Sequence, residues 1–293
     1  MILSISRDLR KELNEEMLQL YLSLTYVAGE NTFFRGLKKL LPGRYLIWQD
    51  GKLEIHRYWK PEFHPDESKT LEDWADEIHN TLKEIMPEVK TADEKVESFL
   101  SGGVDSSYVL AMSDAEQADS CGYEEERFDE SVLAEKTAQL LGRKFSRSII
   151  TPEQFFDIVP YVMYNMEQPL GDASAIVFTL GCNATAEHTK ICYSGEGSDE
   201  FFGGYNMYRN AERYGENLKN FYVGNTNIMK EDEKQKILKK YDPDVLPIEL
   251  ARGIYEETEG LDPLTKMSDV DIQIWLEGDI YLNVDKMSLA AGT

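Results

Sequence analysis

The hydrophobic positions of this chain follow one pattern near its start and another beyond about residue 95. Between residues 43 and 59, GRYLIWQDGKLEIHRYW, two apolar-rich runs flank Asp50-Gly51. An Asp-Gly pair between two such runs predicts a β-hairpin closed by a type I′ turn. Residues 61 to 69, PEFHPDESK, carry two prolines and mixed charge and read as a linker. Thr70 can then cap a helix whose apolar positions Leu71, Trp74, Ile78, Leu82 and Ile85 fall on one face.

From about residue 95, short apolar runs alternate with helical stretches, the pattern of a parallel sheet with crossover helices. The strand candidates are 96–100, 118–123, 145–150 and 190–193. Helices are expected to begin near Ser106, near Ser131 with Gly142 as a stop, after Thr151-Pro152, and near Ala173. Thr151 with Gln154 three residues on fits a capping box. Beyond about 205 strand signals fade into helices separated by Gly and Pro, and no internal repeat stands out.

With 293 residues and 42% hydrophobic content, the chain can bury a core of ordinary size in one large domain or two unequal ones. No apolar run approaches the roughly 20 residues of a membrane span, and the opening stretch turns charged too soon for a signal peptide. A cytoplasmic location with no membrane partner is the expectation. The net charge of −23 argues against a nucleic-acid partner held on a broad basic surface. It leaves room for a small anion held by backbone N–H groups and a metal ion. The three cysteines Cys121, Cys182 and Cys192 are too few and too irregular for a disulfide framework or a zinc site. They are expected to be reduced, with Cys121 and Cys192 buried in strands.

Candidate chemistry begins where the first of these strands runs into Ser101-Gly102-Gly103-Val104-Asp105-Ser106-Ser107 and then a helix. Two glycines permit a tight turn and close approach of the backbone to a ligand. The helix start offers N–H donors and a positive dipole end, and three serines add hydroxyls. Together they can cradle an anion. Asp105 would repel phosphate unless a divalent cation lay between, which argues for Mg²⁺. A plain strand-to-helix turn capped by Asp105 or Ser106 stays open as the alternative. The Gly-Lys-Ser/Thr pattern of P-loop kinases and NTPases is absent.

A second loop, SGEGSDEFFGG at 194–204, holds four glycines and the carboxylates Glu196, Asp199 and Glu200. Four glycines in eleven residues are hard to explain by packing and suggest backbone close to a ligand, with the acids serving metal binding or proton transfer. A solvated acidic loop is the other reading. In a parallel sheet both loops would leave carboxyl ends of strands, where open α/β sheets bind ligands.

The first loop matches the SGGxDS loop of the ATP pyrophosphatase superfamily, and YSGEGSDEFFGGY resembles a segment of glutamine-dependent asparagine synthetases. Further similarity runs through EEERFDES at 124–131, MEQPLGDASAI at 166–176 and GDIYLNVDKMS at 278–288. GENTFFRGLKKLLPGRYL and HRYW resemble the tail of that family's N-terminal glutaminase domain. The resemblance implies an α/β fold: a doubly wound, mostly parallel sheet with flanking helices of the PP-loop, adenine nucleotide alpha hydrolase-like type. An N-terminal β-hairpin remnant and a helical C-terminal part would complete it. Residues 1–60 would be the end of a glutaminase domain and 61–293 a synthetase domain incomplete at its C-terminus.

The same resemblance implies ATP and Mg²⁺ as cofactors and aspartate with ammonia or glutamine as substrates, and leaves a homodimer open. In that family aspartate is activated as a β-aspartyl adenylate that ammonia displaces. Ser101, Gly102, Gly103, Ser106 and Ser107 would hold pyrophosphate, and Asp105 and Asp199 would coordinate Mg²⁺. Leu100, Cys121, Ser194 and Gly195 would line the adenosine site. Glu196 would transfer protons, with Asp279 as a second carboxylate, although an ordinary acid on a solvated helix face is the alternative for Asp279. Lys286 could steady phosphate or lie on the surface.

Position 2 is Ile2, and no cysteine precedes Cys121, so glutamine hydrolysis by the family's cysteine nucleophile is not expected of this chain. The family's ExRxPFLD segment and following lysine are also absent, so nucleotide binding without turnover is one expectation. Lactam formation is another, weakened by Glu196 where β-lactam synthetases usually place tyrosine. A tRNA-thiolating activity is opposed by the acidic charge and the lack of paired catalytic cysteines. GMP and NAD synthetases share the first loop but lack the second.

Overall fold

Four parallel strands carry both glycine loops in the computed structural model of this protein, which describes residues 12–89 and 95–293. The charged opening stretch and position 2 lie outside the described residues. The strands are β3 (Val96–Phe99), β4 (Gln117–Tyr123), β5 (Lys144–Ile150) and β6 (Ile191–Tyr193), in the spatial order β5-β4-β3-β6. Sequence order therefore reverses direction between β3 and β6, and the loops at 101–107 and 194–200 leave the carboxyl ends of these two neighbours. Such a switch point opens a crevice beyond the strand ends in doubly wound sheets. The expected α/β architecture is the one observed.

The described chain divides into two units. The sheet unit comprises His64–Asn165, Ala173–Glu196 and Val284–Thr293. Its helices include α2 (Leu71–Val89), α3 (Val104–Met112), α4 (Ser131–Leu140), α5 (Pro152–Met166) and α6 (Ser174–Thr185). Alternation along β4 sends neighbouring residues to opposite faces. A Cβ at Gly122 would meet the Ser131 hydroxyl of α4, whereas the Cys121 sulfur lies against Gly181 of α6. Helices thus cover both faces. Val96, Leu100, Leu110, Ala118, Ala134 and Ala138 form part of a core between β3, β4, α3 and α4.

Several starts and stops follow from local chemistry. Thr70 caps α2 through Oγ1, accepting from the Asp73 N–H at 3.2 Å, while the Asp73 carboxylate accepts the Thr70 N–H at 2.8 Å. Thr151 and Gln154 make the expected reciprocal pair at the start of α5. Gly142, at φ +67°, follows the end of α4. Of the apolar positions on the expected face of α2, Trp74, Ile78 and Leu82 are half-buried while Leu71 and Ile85 are exposed, because amphipathic spacing specifies a face but not what covers it. One expectation fails. Of the cysteines, all free thiols, the fully buried one is Cys182 on α6; Cys121 and Cys192 are half-buried.

The second unit comprises the residues through Phe63, Met166–Asp172 and Gly197–Asn283. It contains α1 (Glu15–Leu24) and the hairpin β1 (Arg44–Gln49) and β2 (Lys52–Arg57). Asp50 and Gly51 both take positive φ, 51° and 75°, as a type I′ turn demands. α1 is held by polar contacts distant in sequence. The Gln19 amide donates to the Asp242 and Val245 carbonyls at 2.7 and 2.8 Å, and the fully buried Lys234 donates to the Gln19 carbonyl at 3.3 Å. After residue 205 the described chain forms helices and no strand, among them a helix Pro263–Val270 and a π-helical segment Asp271–Ile280. Its first turns start on Asp262, whose carboxylate accepts the Thr265 N–H at 3.0 Å. No described helix is long and apolar enough to cross a membrane.

Candidate active site

In the sheet unit, the 101–107 loop is stapled by its own serines. The Ser101 N–H donates to Ser106 Oγ at 3.2 Å, the two hydroxyls stand 3.0 Å apart, and the Gly103 N–H donates to Ser101 Oγ at 3.2 Å. Ser107 Oγ donates to the Gly103 carbonyl at 2.6 Å. Gly103 is the N-cap residue of α3, and no side chain caps this helix. Neither Asp105 nor Ser106 caps α3 through its side chain. The serine hydroxyls are engaged within the loop, and the first N–H groups of a helix have no intrahelical acceptor.

Gly102 adopts φ +89°, and a Cβ there would approach the Ala134 nitrogen to 3.1 Å and the Glu130 carbonyl to 3.3 Å. Only glycine combines that conformation with that clearance. Leu100, 1% exposed, anchors the strand end through its N–H to the Asp119 carbonyl at 2.9 Å.

The second loop meets the first through glycine. A Cβ on Gly195 would stand 2.7 Å from the Ser106 nitrogen and 3.0 Å from the Asp105 carbonyl carbon. The backbones of the two loops are thus in direct contact beyond β3 and β6. Ser194 Oγ accepts the Glu196 N–H at 3.3 Å, and Glu196 is exposed. Cys121 lies on β4 with its Sγ 3.8 Å from the Val177 carbonyl; burial pushes its thiol up to about 11. A thiol shifted in that direction stays protonated at neutral pH.

The three carboxylates of the second loop have separate environments. Asp199 and Glu200 belong to the second unit, where α7 (Ser198–Phe202) follows Gly197 at φ +93°. Asp199 is half-buried, with its carboxylate pressed on the Gly204 backbone. Glu200 is fully buried and accepts the Tyr205 hydroxyl at 2.9 Å. Glu200 therefore acts within the core of its unit.

Asp279 is also in the second unit, on the last turn of the π segment. It is 2% exposed, which rules out the solvated helix face. Burial first, and then the Asp172 carboxylate, push its carboxyl up to about 7, against a hydrogen bond from Trp275. Trp275 Nε1 donates to Asp279 Oδ2 at 3.1 Å. Gly278 admits the Tyr26 ring, since a Cβ there would lie 2.8 Å from Tyr26 Cε2. Asp271, at the other end of the segment, accepts the Tyr208 and Tyr222 hydroxyls on one oxygen, and burial raises its carboxyl to about 7. Trp275, Asp172 and Tyr26 were missed in the sequence; only the four-residue spacing of Trp275 and Asp279 carried a signal. Lys286 is half-buried.

Among the described residues, no group of three or more His, Cys, Asp or Glu side chains is placed to hold a metal ion. Asp105 in the sheet unit and Asp199 in the second unit are each a hard oxygen donor of the kind Mg²⁺ takes together with phosphate oxygens and water.

The family model for asparagine synthase matches residues 77–293. This chain belongs to the asparagine synthase family. A model described as glutamine amidotransferase domain matches residues 2–59. Asparagine synthetase (glutamine-hydrolyzing) 1 of Bacillus subtilis is 30% identical over 321 aligned positions, covering 95% of this chain and 50% of the relative. Amidase chry2 of Gibberella zeae is 32% identical over 207 positions, 62% of this chain and 31% of the relative. Amidase chyE of Penicillium rubens is 30% identical over 202, 61% and 30%. The chain spans about half the length of the Bacillus synthetase it matches. Because 321 aligned positions exceed 293 residues, that synthetase also carries internal segments that this family member lacks.

Proposed function

We propose that this chain carries the ATP-dependent, AMP- and pyrophosphate-forming part of asparagine synthesis, converting the side-chain carboxylate of aspartate to an amide. The observation that carries the reading is the backbone contact of Gly195 with Asp105 and Ser106, which unites two glycine loops at the switch point of a parallel sheet. In this reading residues 1–60 are the end of an amidotransferase-type domain and 61–293 the synthetase part, in keeping with family matches at 2–59 and 77–293.

The α3 N-terminus, with Gly102, Gly103 and the serine-stapled turn, binds the β- and γ-phosphates of ATP. Leu100, Cys121, Ser194 and Gly195 line the adenosine end. Mg²⁺ held by Asp105 and Asp199 would neutralise phosphate charge. An aspartate side-chain oxygen attacks the α-phosphorus, the bond to the bridging oxygen breaks, and pyrophosphate leaves. The nitrogen lone pair of ammonia then attacks the acyl carbon and AMP departs with the former carboxylate oxygen. Glu196 accepts a proton from the attacking nitrogen, and Asp279 is the second carboxylate that manages this charge.

Aspartate-dependent release of AMP and pyrophosphate from Mg²⁺-ATP, with ammonia or glutamine as nitrogen source, tests the reading. Release that requires another carboxylate overturns the substrate. ATP binding by calorimetry with no release under either source restricts the chain to nucleotide binding, and no binding overturns both.

A further inference from the structure

The environment of Asp279 points to a residue outside the loops. We infer that Trp275 is the positioning residue of the site: its indole N–H holds Oδ2 of Asp279 and thereby leaves Oδ1 as the one carboxylate oxygen open to the reacting nitrogen. This rests on the reading of Asp279 as a participant in the reaction.

Three observations carry it. The hydrogen bond joins two buried side chains, Trp275 at 9% and Asp279 at 2% exposure, at 3.1 Å. Oδ1 is buried without a hydrogen-bond partner among the described residues. A buried polar atom without a hydrogen bond is costly, so its retention calls for an explanation such as a ligand donor. Finally, the bond is a product of the backbone. Asp271–Ile280 winds as a π-helix, a rare form that accompanies functional sites and brings residues four and five apart over one another. Trp275 and Asp279 are four apart, and Gly278 lets the Tyr26 ring brace the turn between them.

The charged and titratable groups facing Asp279 are the Asp172 carboxylate and the Tyr26 phenol, which itself feels Asp271 and Glu277. The indole N–H is the donor to Oδ2. Without the indole, the carboxyl would rotate between its oxygens and bind its proton more tightly, since the N–H favours the charged form.

Two measurements decide the matter. In the full chain with Trp48, Trp59 and Trp74 replaced by Phe, Trp275 is the sole indole, and its fluorescence should titrate with a midpoint near pH 7. Asp279→Asn should abolish that titration. Emission that is flat from pH 5 to 9, or a titration that survives Asp279→Asn, overturns the inference. In the aspartate-dependent assay, Trp275→Phe should lower kcat roughly tenfold or more, as losing an orienting partner does. KM should stay within about twofold, and the acid limb of the pH profile should move upward. Trp275→His, which retains a ring N–H, should recover part of the rate. If Asp279→Asn leaves kcat unchanged, the role of Asp279 fails. If Asp279→Asn is inactive while Trp275→Phe keeps both rate and pH profile, only the positioning role fails.

Discussion

The Tyr281 hydroxyl packs so closely on Gly197 that a Cβ there would stand 2.5 Å away. Both residues belong to the second unit, Gly197 at the start of α7 and Tyr281 just beyond the π segment that bears Asp279. Gly197 also sits at φ +93°, where a side chain is strained whatever the space. Gly197→Ala should destabilise the protein by about 2 kcal/mol or more. In a Tyr281→Phe background part of that loss should return, because the nearest atom is gone while the strain remains. Urea unfolding of the single and double variants measures both effects.

Gly195→Ala should be worse for nucleotide than for stability. Its Cβ would strike the Ser106 nitrogen and Asp105 carbonyl carbon, backbone atoms that cannot rotate away. Overpacking of this kind costs about 1–3 kcal/mol, and pushing the two loops apart should weaken ATP binding at least about tenfold. Calorimetric titration beside a thermal melt separates the two.

Glu196→Gln should leave ATP binding nearly intact and lower product formation by a factor on the order of 10² or more, the usual scale for a lost general acid or base. An unchanged rate would reject the role. Asp105→Asn should instead raise the Mg²⁺ concentration needed for half-maximal ATP binding, and an unaltered metal dependence would remove Asp105 from the ion's shell.

Buried acids give stability a pH dependence of known sign. Asp271 has its carboxyl raised to about 7, against an unfolded value near 3.9. Its neutral form is the one the fold favours. The contribution is fully present below about pH 4 and is lost as pH rises through about 7. Asp271→Asn should flatten that part of the curve of unfolding free energy against pH. A curve of unchanged slope between pH 4 and 7 would show that Asp271 ionises in the fold as readily as in the unfolded chain.

Local chemistry was the legible part of this chain. The Asp50-Gly51 turn, the Thr70 and Thr151 caps and the Gly142 stop depend on neighbours within a few residues, and the structure has each of them. The sheet was legible because helices separate its short apolar strands. What covers a face was not legible, as exposed Leu71 shows. The identity of buried polar groups was hidden for the same reason. Glu200, Asp271 and Asp279 look alike in a chain with 54 acidic residues. Tyr205, Tyr208, Tyr222 and Trp275 distinguish them, and two of these partners, Tyr208 and Tyr222, are tens of residues away.

The polar clasp on α1 bears on how the chain is made. Gln19 finds its acceptors on Asp242 and Val245, 223 and 226 residues later. At ribosomal rates of about 5–20 residues per second, that interval lasts on the order of ten to forty seconds. Met17 and Leu20 can meet Val27 and Phe33 early, but Val245 and Leu250, which also pack on this cluster, arrive only after that interval. The burial of α1 is therefore completed late in synthesis, when the segment that carries its polar acceptors has been made.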